Sequence, residues 1–197
     1  IFYLPKSDNW WELEGTVGTP CGPDNEWFYP MDPENSAPVF PDDYVEIGND
    51  VYMQYRKTET GYVPLENKNV DTGFGLDRML LFLNGLHDGY KTDLFAGAIE
   101  TLEQLTGKKY DEDEAARKAM RIVADHTRTT VMLIGDVNGI LPSNTGAGYI
   151  LRRLMRRAIR YCRQLGVDPA AAMRAVAEVF IDEVYGEAYP LLKEKKE

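Results

Sequence analysis

At 197 residues the chain can hold one large domain or two small ones, and 44% hydrophobic with 27% charged residues excludes a disordered or fibrous chain. No run approaches the roughly 18 apolar residues of a membrane span, and Ile1-Phe2-Tyr3-Leu4-Pro5 lacks a basic leader, so a soluble cytoplasmic protein with no membrane partner is expected. The net charge of −10 argues against indiscriminate nucleic-acid binding, but residues 1–100 carry 6 basic and 18 acidic side chains while residues 121–166 carry 8 basic and 2 acidic.

In chain order, the first ninety residues are rich in Pro, Gly, aromatics and acids and read as sheet and loops. The best strand is Tyr44 to Arg56, with Val45, Ile47, Val51, Met53 and Tyr55 mostly alternating, followed by a Thr58-Glu59-Thr60-Gly61 turn into Tyr62 to Leu65. From Leu76 the pattern is helical. Thr92 or Asp93 is expected to cap a helix through Leu94, Ile99, Leu102 and Leu105 that stops at Gly107. Asp111 is expected to open a third helix running to Leu133 and ending before Gly135. A fourth spans about Gly146 to Gly166, and the last begins at Asp168-Pro169 and ends at Gly186, with a frayed tail from Lys193 to Glu197. Cys21 and Cys162 form neither a disulfide framework nor a metal clip, and Cys21, between Pro20 and Gly22-Pro23, reads as a structural turn.

The segment Val70-Asp71-Thr72-Gly73-Phe74-Gly75-Leu76-Asp77-Arg78 combines a carboxylate, two glycines that let a ligand approach the backbone, and an arginine in the first turn of a helix. That set suits a phosphate on Arg78 and an amine on Asp71; a packing turn is the alternative. Glu46 and Asn49, on the long strand, are candidates for Mg²⁺ or a ribose, with a surface-facing strand position as the competing reading.

On the helix after Asn144, at 100° per residue, Arg152, Arg153, Arg156, Arg157, Arg160 and Arg163 fall within an arc of roughly 140°. Leu151, Leu154, Met155, Ala158, Ile159, Cys162 and Leu165 lie opposite. Six arginines with no acidic partner on the helix point to phosphate-backbone binding more than to mere solvation. Asp125, His126 and Arg128 are expected to form a polar network or to touch RNA, since only His87 exists besides His126 and a four-ligand metal site cannot be assembled.

The segments Asp8-Asn9-Trp10-Trp11, Thr19 to Pro23, Glu46 to Tyr55 and Val70 to Arg78 resemble, in order and spacing, the back half of the alanyl-tRNA synthetase catalytic domain. Asp125-His126-Thr127-Arg128, Leu141-Pro142-Ser143-Asn144 and Gly148 to Arg153 extend the resemblance over nearly the whole chain. It implies an α+β fold: part of a class II antiparallel sheet in residues 1–90, then a helical domain, residues 91–197, that recognises the tRNA acceptor stem. Val70 to Arg78 then looks like motif 3, with Arg78 on the ATP γ-phosphate, Asp71 on the ammonium of alanine, Gly73 leaving room beside the amino acid and Gly75 near ATP. Trp11 and Val51 resemble walls of the alanine pocket, and Asn144 the residue that reads a G·U pair in the acceptor stem; from the residues alone, capping of the following helix is an equal alternative for Asn144.

Departures from the family pattern are Thr19 for a Gly, Asp24-Asn25-Glu26 in place of Cys-Ser-Glu, Gly48 for a Trp and Ala147 for an Arg. Nothing resembles class II motifs 1 and 2. The chain is therefore expected to begin inside a domain, to need a missing N-terminal half, and to be inactive alone in alanine-dependent pyrophosphate exchange. ATP and Mg²⁺ are implied for the complete enzyme, and no zinc is expected here. The alternatives are a catalytically inactive tRNA-binding module and one half of a split synthetase.

Overall fold

The computed structural model describes residues 1–13, 15–32 and 34–196. It divides into two compact units, Ile1–Gly89 and Tyr90–Glu197. The fold class is α+β.

The first unit is an antiparallel sheet in the order β1-β2-β3-β4: β1 (Trp10–Trp11), β2 (Pro20–Pro30), β3 (Tyr44–Thr58) and β4 (Gly61–Phe74), followed by helix α1 (Leu76–Leu83). The sequence reads β3 and its turn correctly, and Thr58 pairs with Gly61 across the two-residue loop. Two segments differ. Cys21 lies buried inside β2, not in a turn. Proline has no N–H for the ladder, and Pro20 and Pro30 stand at the ends of β2, while Pro23 falls where the register shifts between Cys21 and Asp24. The second hairpin strand continues past Leu65 through the whole Val70–Phe74 segment, so the two glycines belong to a strand and the strand-to-helix junction, held by pairing with β3.

Glu12 ties β1 to the hairpin. Its carboxylate accepts hydrogen bonds from Trp10 Nε1 at 2.8 Å, Lys57 Nζ at 2.5 Å and Tyr62 Oη at 2.5 Å. Lys6 Nζ lies 4.1 Å and 4.4 Å from the ring centroids of Trp10 and Tyr62. These donors, Lys57 foremost, hold the Glu12 carboxyl at about 2, well below the usual carboxylate range. A carboxyl depressed on folding adds stability above its unfolded value, and this is lost as pH falls through the folded one. Glu12→Gln is therefore expected to unfold at lower urea than the parent at pH 6, with the gap closing between about pH 4 and pH 2. Tryptophan fluorescence follows it cleanly, because Trp10, Trp11 and Trp27 all belong to this unit. An unchanged gap across that range overturns the role given to Glu12.

The second unit contains α2 (Ala96–Thr106), α3 (Glu114–Gly135), α4 (Gly146–Leu165), α5 (Pro169–Glu178), a π-helical continuation (Val179–Val184) and α6 (Leu191–Glu194). Its core joins Phe95, Leu102, Met120, Val123, Cys162, Leu165, Val176 and Phe180. A fully buried Leu or Phe of this kind contributes about 2 kcal/mol by apolar burial.

Helix starts depart from the sequence reading in detail. The first α-helical residue after Thr92 is Ala96, because the Thr92 carbonyl accepts from both Phe95 and Ala96 N–H in a tight entry turn. Helix α3 begins at Glu114, capped by Asp113, whose side chain accepts from Ala116 N–H. Arg117 binds the carbonyls of Tyr110 and Asp111, which keeps Asp111 in the preceding loop. That helix also includes Gly135. The tail read as frayed from Lys193 starts inside α6, and Glu197 lies outside the described residues.

Candidate functional site

Residues paired across an antiparallel ladder share a face, and alternate positions return to it. Asp24, Val51 and Asp71 form one such row across β2, β3 and β4, and Glu26, Asn49 and Gly73 form the next. One face of the sheet therefore carries Asp71, Gly73, Asn49 and Val51, four of the residues singled out in the sequence, together with Asp24 and Glu26. Asn49 Nδ2 donates to Asp24 Oδ2 at 3.5 Å, and a Cβ on Gly73 would lie 3.5 Å from Asn49 Oδ1. That is an ordinary van der Waals distance, and nothing else lies within 4 Å of the position, so the backbone there is open.

Burial, reinforced by the Glu46 charge, pushes the Asp24 and Glu26 carboxyls up, with Asn49 opposing the shift at Asp24. Asp24 Oδ1 is buried without a hydrogen-bond partner. Crowded, partly desolvated carboxylates of this kind favour a cation. Asp24 and Glu26 escaped the sequence reading because Asp24-Asn25-Glu26 stood out only as a departure from the family pattern; their i, i+2 spacing on a strand was the available signal.

At the end of β4, Gly75 donates its N–H to the Ile47 carbonyl, and α1 follows directly. Arg78 sits in the first turn of α1 and donates from Nη1 to the Glu46 carbonyl at 2.7 Å and to Glu46 Oε2 at 3.3 Å. Two of the four residues assigned to ATP or metal in the sequence, Glu46 and Arg78, are thus brought into contact. Gly75 lies against the stem of Arg78, its notional Cβ 3.1 Å from Cδ.

Gly48 faces Phe74 in the ladder, and a Cβ there would come within 2.4 Å of the Phe74 ring. The space left by the missing tryptophan is taken by that phenylalanine from the opposite strand.

Trp11 stands on β1 opposite Gly22 and is 38% exposed, and Asp71 is exposed as well, whereas Val51 is buried. The enclosed pocket expected around a small amino acid is not closed by this unit. A cavity of about 770 Å³ opens between the first residues and β2, bordered by Phe2, Asn9, Asp24, Glu26, Phe28 and Phe40 among others, and it includes neither Trp11 nor Asp71. Among the described residues no group of three or more His, Cys, Asp or Glu is placed to hold a metal ion, and no helix is long and apolar enough to cross a membrane.

In the helical unit, α4 buries Leu151, Ala158, Cys162 and Leu165 and half-buries Leu154, Met155 and Ile159. Burial pushes the Cys162 thiol up to about 11, so it is a core group and not a nucleophile. Arg153, Arg156, Arg157, Arg160 and Arg163 are exposed, and among the described residues none of the five is ion-paired. Arg152 differs: it is half-buried, and its Nη1 donates to Asn144 Oδ1 at 2.6 Å.

The residue at the helix start is Thr145, and Asn144 does not cap α4. Ser143 shapes this turn, its Oγ donating to the Thr145 carbonyl and its N–H donating to the Gly148 carbonyl. A Cβ on Gly148 would meet the Leu141 carbonyl at 2.4 Å, so the loop can close on the helix only over glycine.

His126 Nδ1 lies 2.8 Å from Asp125 Oδ2. Arg128 Nε donates to Tyr185 Oη at 2.5 Å, with the guanidinium 5.0 Å from the Phe95 ring centroid. Asp125 and His126 thus pair with each other, while Arg128 joins Tyr185 and Phe95 within the helical unit.

A family model described as tRNA synthetases class II (A) matches residues 1–197. The alanine-tRNA ligase of Treponema denticola is 44% identical over 196 residues, covering 93% of this chain and 32% of that relative. Those of Borrelia hermsii and Geobacillus kaustophilus are each 40% identical, over 100% and 95% of this chain and 34% and 21% of their own lengths. The chain spans about a third or less of these curated relatives. With a match over its full length, the chain belongs to the class II (A) tRNA synthetases.

Proposed function

We propose that this chain supplies part of an alanine-tRNA ligase: residues 1–90 contribute motif 3 and part of the alanine pocket, and residues 91–197 grip the acceptor stem of alanine tRNA. The observation that carries the reading is the grouping of Asp71, Gly73, Asn49 and Val51 on one sheet face, with Arg78 on Glu46 at the end of β4. Family membership and the alanine-tRNA ligases among the relatives support it.

Activation of a carboxylate by ATP needs positive charge on the triphosphate, a fixed in-line geometry for the attacking oxygen, and an anchor for the amino group. Arg78 supplies the first through a planar fork that matches phosphate oxygens. Asp71 supplies the anchor, accepting hydrogen bonds from the ammonium of alanine while Gly73 leaves the backbone beside it open. Trp11 and Val51 limit the size of the side chain admitted. Mg²⁺, when bound with ATP, neutralises phosphate charge. It takes one or two carboxylates besides phosphate oxygens, and the donors at Glu46, Asn49 and the unpartnered Asp24 Oδ1 are of the hard-oxygen kind it accepts.

The test uses a protein of the relatives' full length containing this chain. Alanine is expected to drive exchange of pyrophosphate into ATP. Asp71→Asn is expected to raise the KM for alanine about 10- to 100-fold, the worth of one hydrogen bond to a charged group, and to leave that for ATP near its original value. Exchange that does not depend on alanine overturns the function; an unchanged KM for alanine overturns the role of Asp71.

A further inference from the structure

We propose that Arg152 is a positioning residue for Asn144 and not a phosphate ligand like the other arginines of α4. This rests on the reading of Asn144 as the side chain that contacts a base edge of the acceptor stem. Arg152 is half-buried where its five neighbours on the arc are exposed. Its Nη1 donates to Asn144 Oδ1 at 2.6 Å, and its guanidinium carbon lies 5.5 Å from the Tyr149 ring centroid. Its Nε is buried without an acceptor. A buried N–H left unpaired opposes folding, and such groups persist where the rest of the side chain is committed to a task.

The chemistry of the contact fixes the carboxamide. Arginine only donates, so the atom facing it must be the Asn144 oxygen, and the amide nitrogen must face away. One lone pair of Oδ1 is taken by Arg152, and the second is available to a donor such as the exocyclic amine of guanine, which a G·U wobble leaves unpaired in the wide minor groove of A-form RNA. The charge-assisted bond prevents the amide from flipping to present its NH₂ to that donor. A residue on an otherwise exposed turn thereby acquires one defined orientation before RNA arrives.

Affinities of the full chain for acceptor-stem duplexes carrying G·U or G·C, measured at several salt concentrations, test the assignment. Arg152→Ala is expected to reduce the preference for G·U about 5- to 100-fold, the range of one good base contact, with the salt slope unchanged. Arg156→Ala is expected to weaken both duplexes alike and to reduce the slope by about 0.7 to 0.9. Arg152→Lys, which preserves the charge and one donor, is expected to recover part of the preference, and it carries the test if the alanine variant melts early. Asn144→Ala combined with Arg152→Ala is expected to be no worse than Asn144→Ala alone. Equal weakening on both duplexes with a lower salt slope makes Arg152 a phosphate ligand and overturns the proposal; so does an unaltered preference in both Arg152 variants. If Asn144→Ala loses the preference and the Arg152 variants retain it, positioning fails and the role of Asn144 stands. If Asn144→Ala also retains it, both fail.

Discussion

Replacing Arg78 by alanine is expected to lower alanine-dependent pyrophosphate exchange by about 10²- to 10³-fold, the effect of removing one preorganised donor from a developing charge. The measurement belongs in a protein of the relatives' full length. Arg78 is half-exposed, and its contact with Glu46 is an open ion pair plus one bond to a backbone carbonyl. Pairs of that kind contribute about 0 to 1 kcal/mol, so the melting temperature should hardly move while activity collapses. Arg78→Lys is expected to recover little, because a lysine meets a phosphate as a point charge and cannot reproduce the planar fork. Glu46→Gln separates two roles for the acid. It leaves the carbonyl contact to Arg78 intact, so a loss of activity in that variant points to the carboxylate itself. Full activity in Arg78→Ala removes Arg78 from the chemistry.

The second large effect is expected on RNA. Changing Arg153, Arg156 and Arg160 to glutamate should abolish binding of an acceptor-stem duplex at about 0.1 M salt, since three attractive phosphate contacts become repulsive. In the parent chain, the five exposed guanidiniums along α4 predict a log-log salt slope of roughly −4. All three positions are exposed and outside the core, so helix content by circular dichroism should stay the same. Binding that survives the triple change, with the slope intact, would reduce the basic face to a solvated surface.

Much of this was legible in the sequence because single elements carried strong local signals. The 3.6-residue period of α4 by itself separates Leu151, Ala158 and Cys162 from the arginines, and burial follows that division. What was illegible depended on partners distant in the chain. Val70 to Gly73 has polar residues and glycine, yet it is a strand because β3 offers a ladder. Asp24 and Glu26 became part of the candidate site only once pairing with Val51 and Asn49 put them on its face. Asn144 looked equally suited to capping and to recognition; the cap position belongs to Thr145, and the Asn144 oxygen is engaged by a residue eight positions on. Arg152 was indistinguishable from its neighbours on a helical wheel, because a wheel gives direction and not depth.

Helix α4 is also a ruler. From Arg153 to Arg163 it advances about 15 Å at 1.5 Å per residue, and its exposed guanidiniums are set along that length at fixed intervals. The ruler is anchored at one end, where Gly148 lets the loop bearing Asn144 seat against the first turn of the helix. The distance from the Asn144 amide to each guanidinium is therefore set by residue count. Under the roles proposed for Asn144 and these arginines, a base pair would be selected not only by its edge but by lying a fixed number of nucleotides from the phosphates that the arginines would hold. The same G·U pair moved one step along an acceptor stem would meet the arginines and miss the amide.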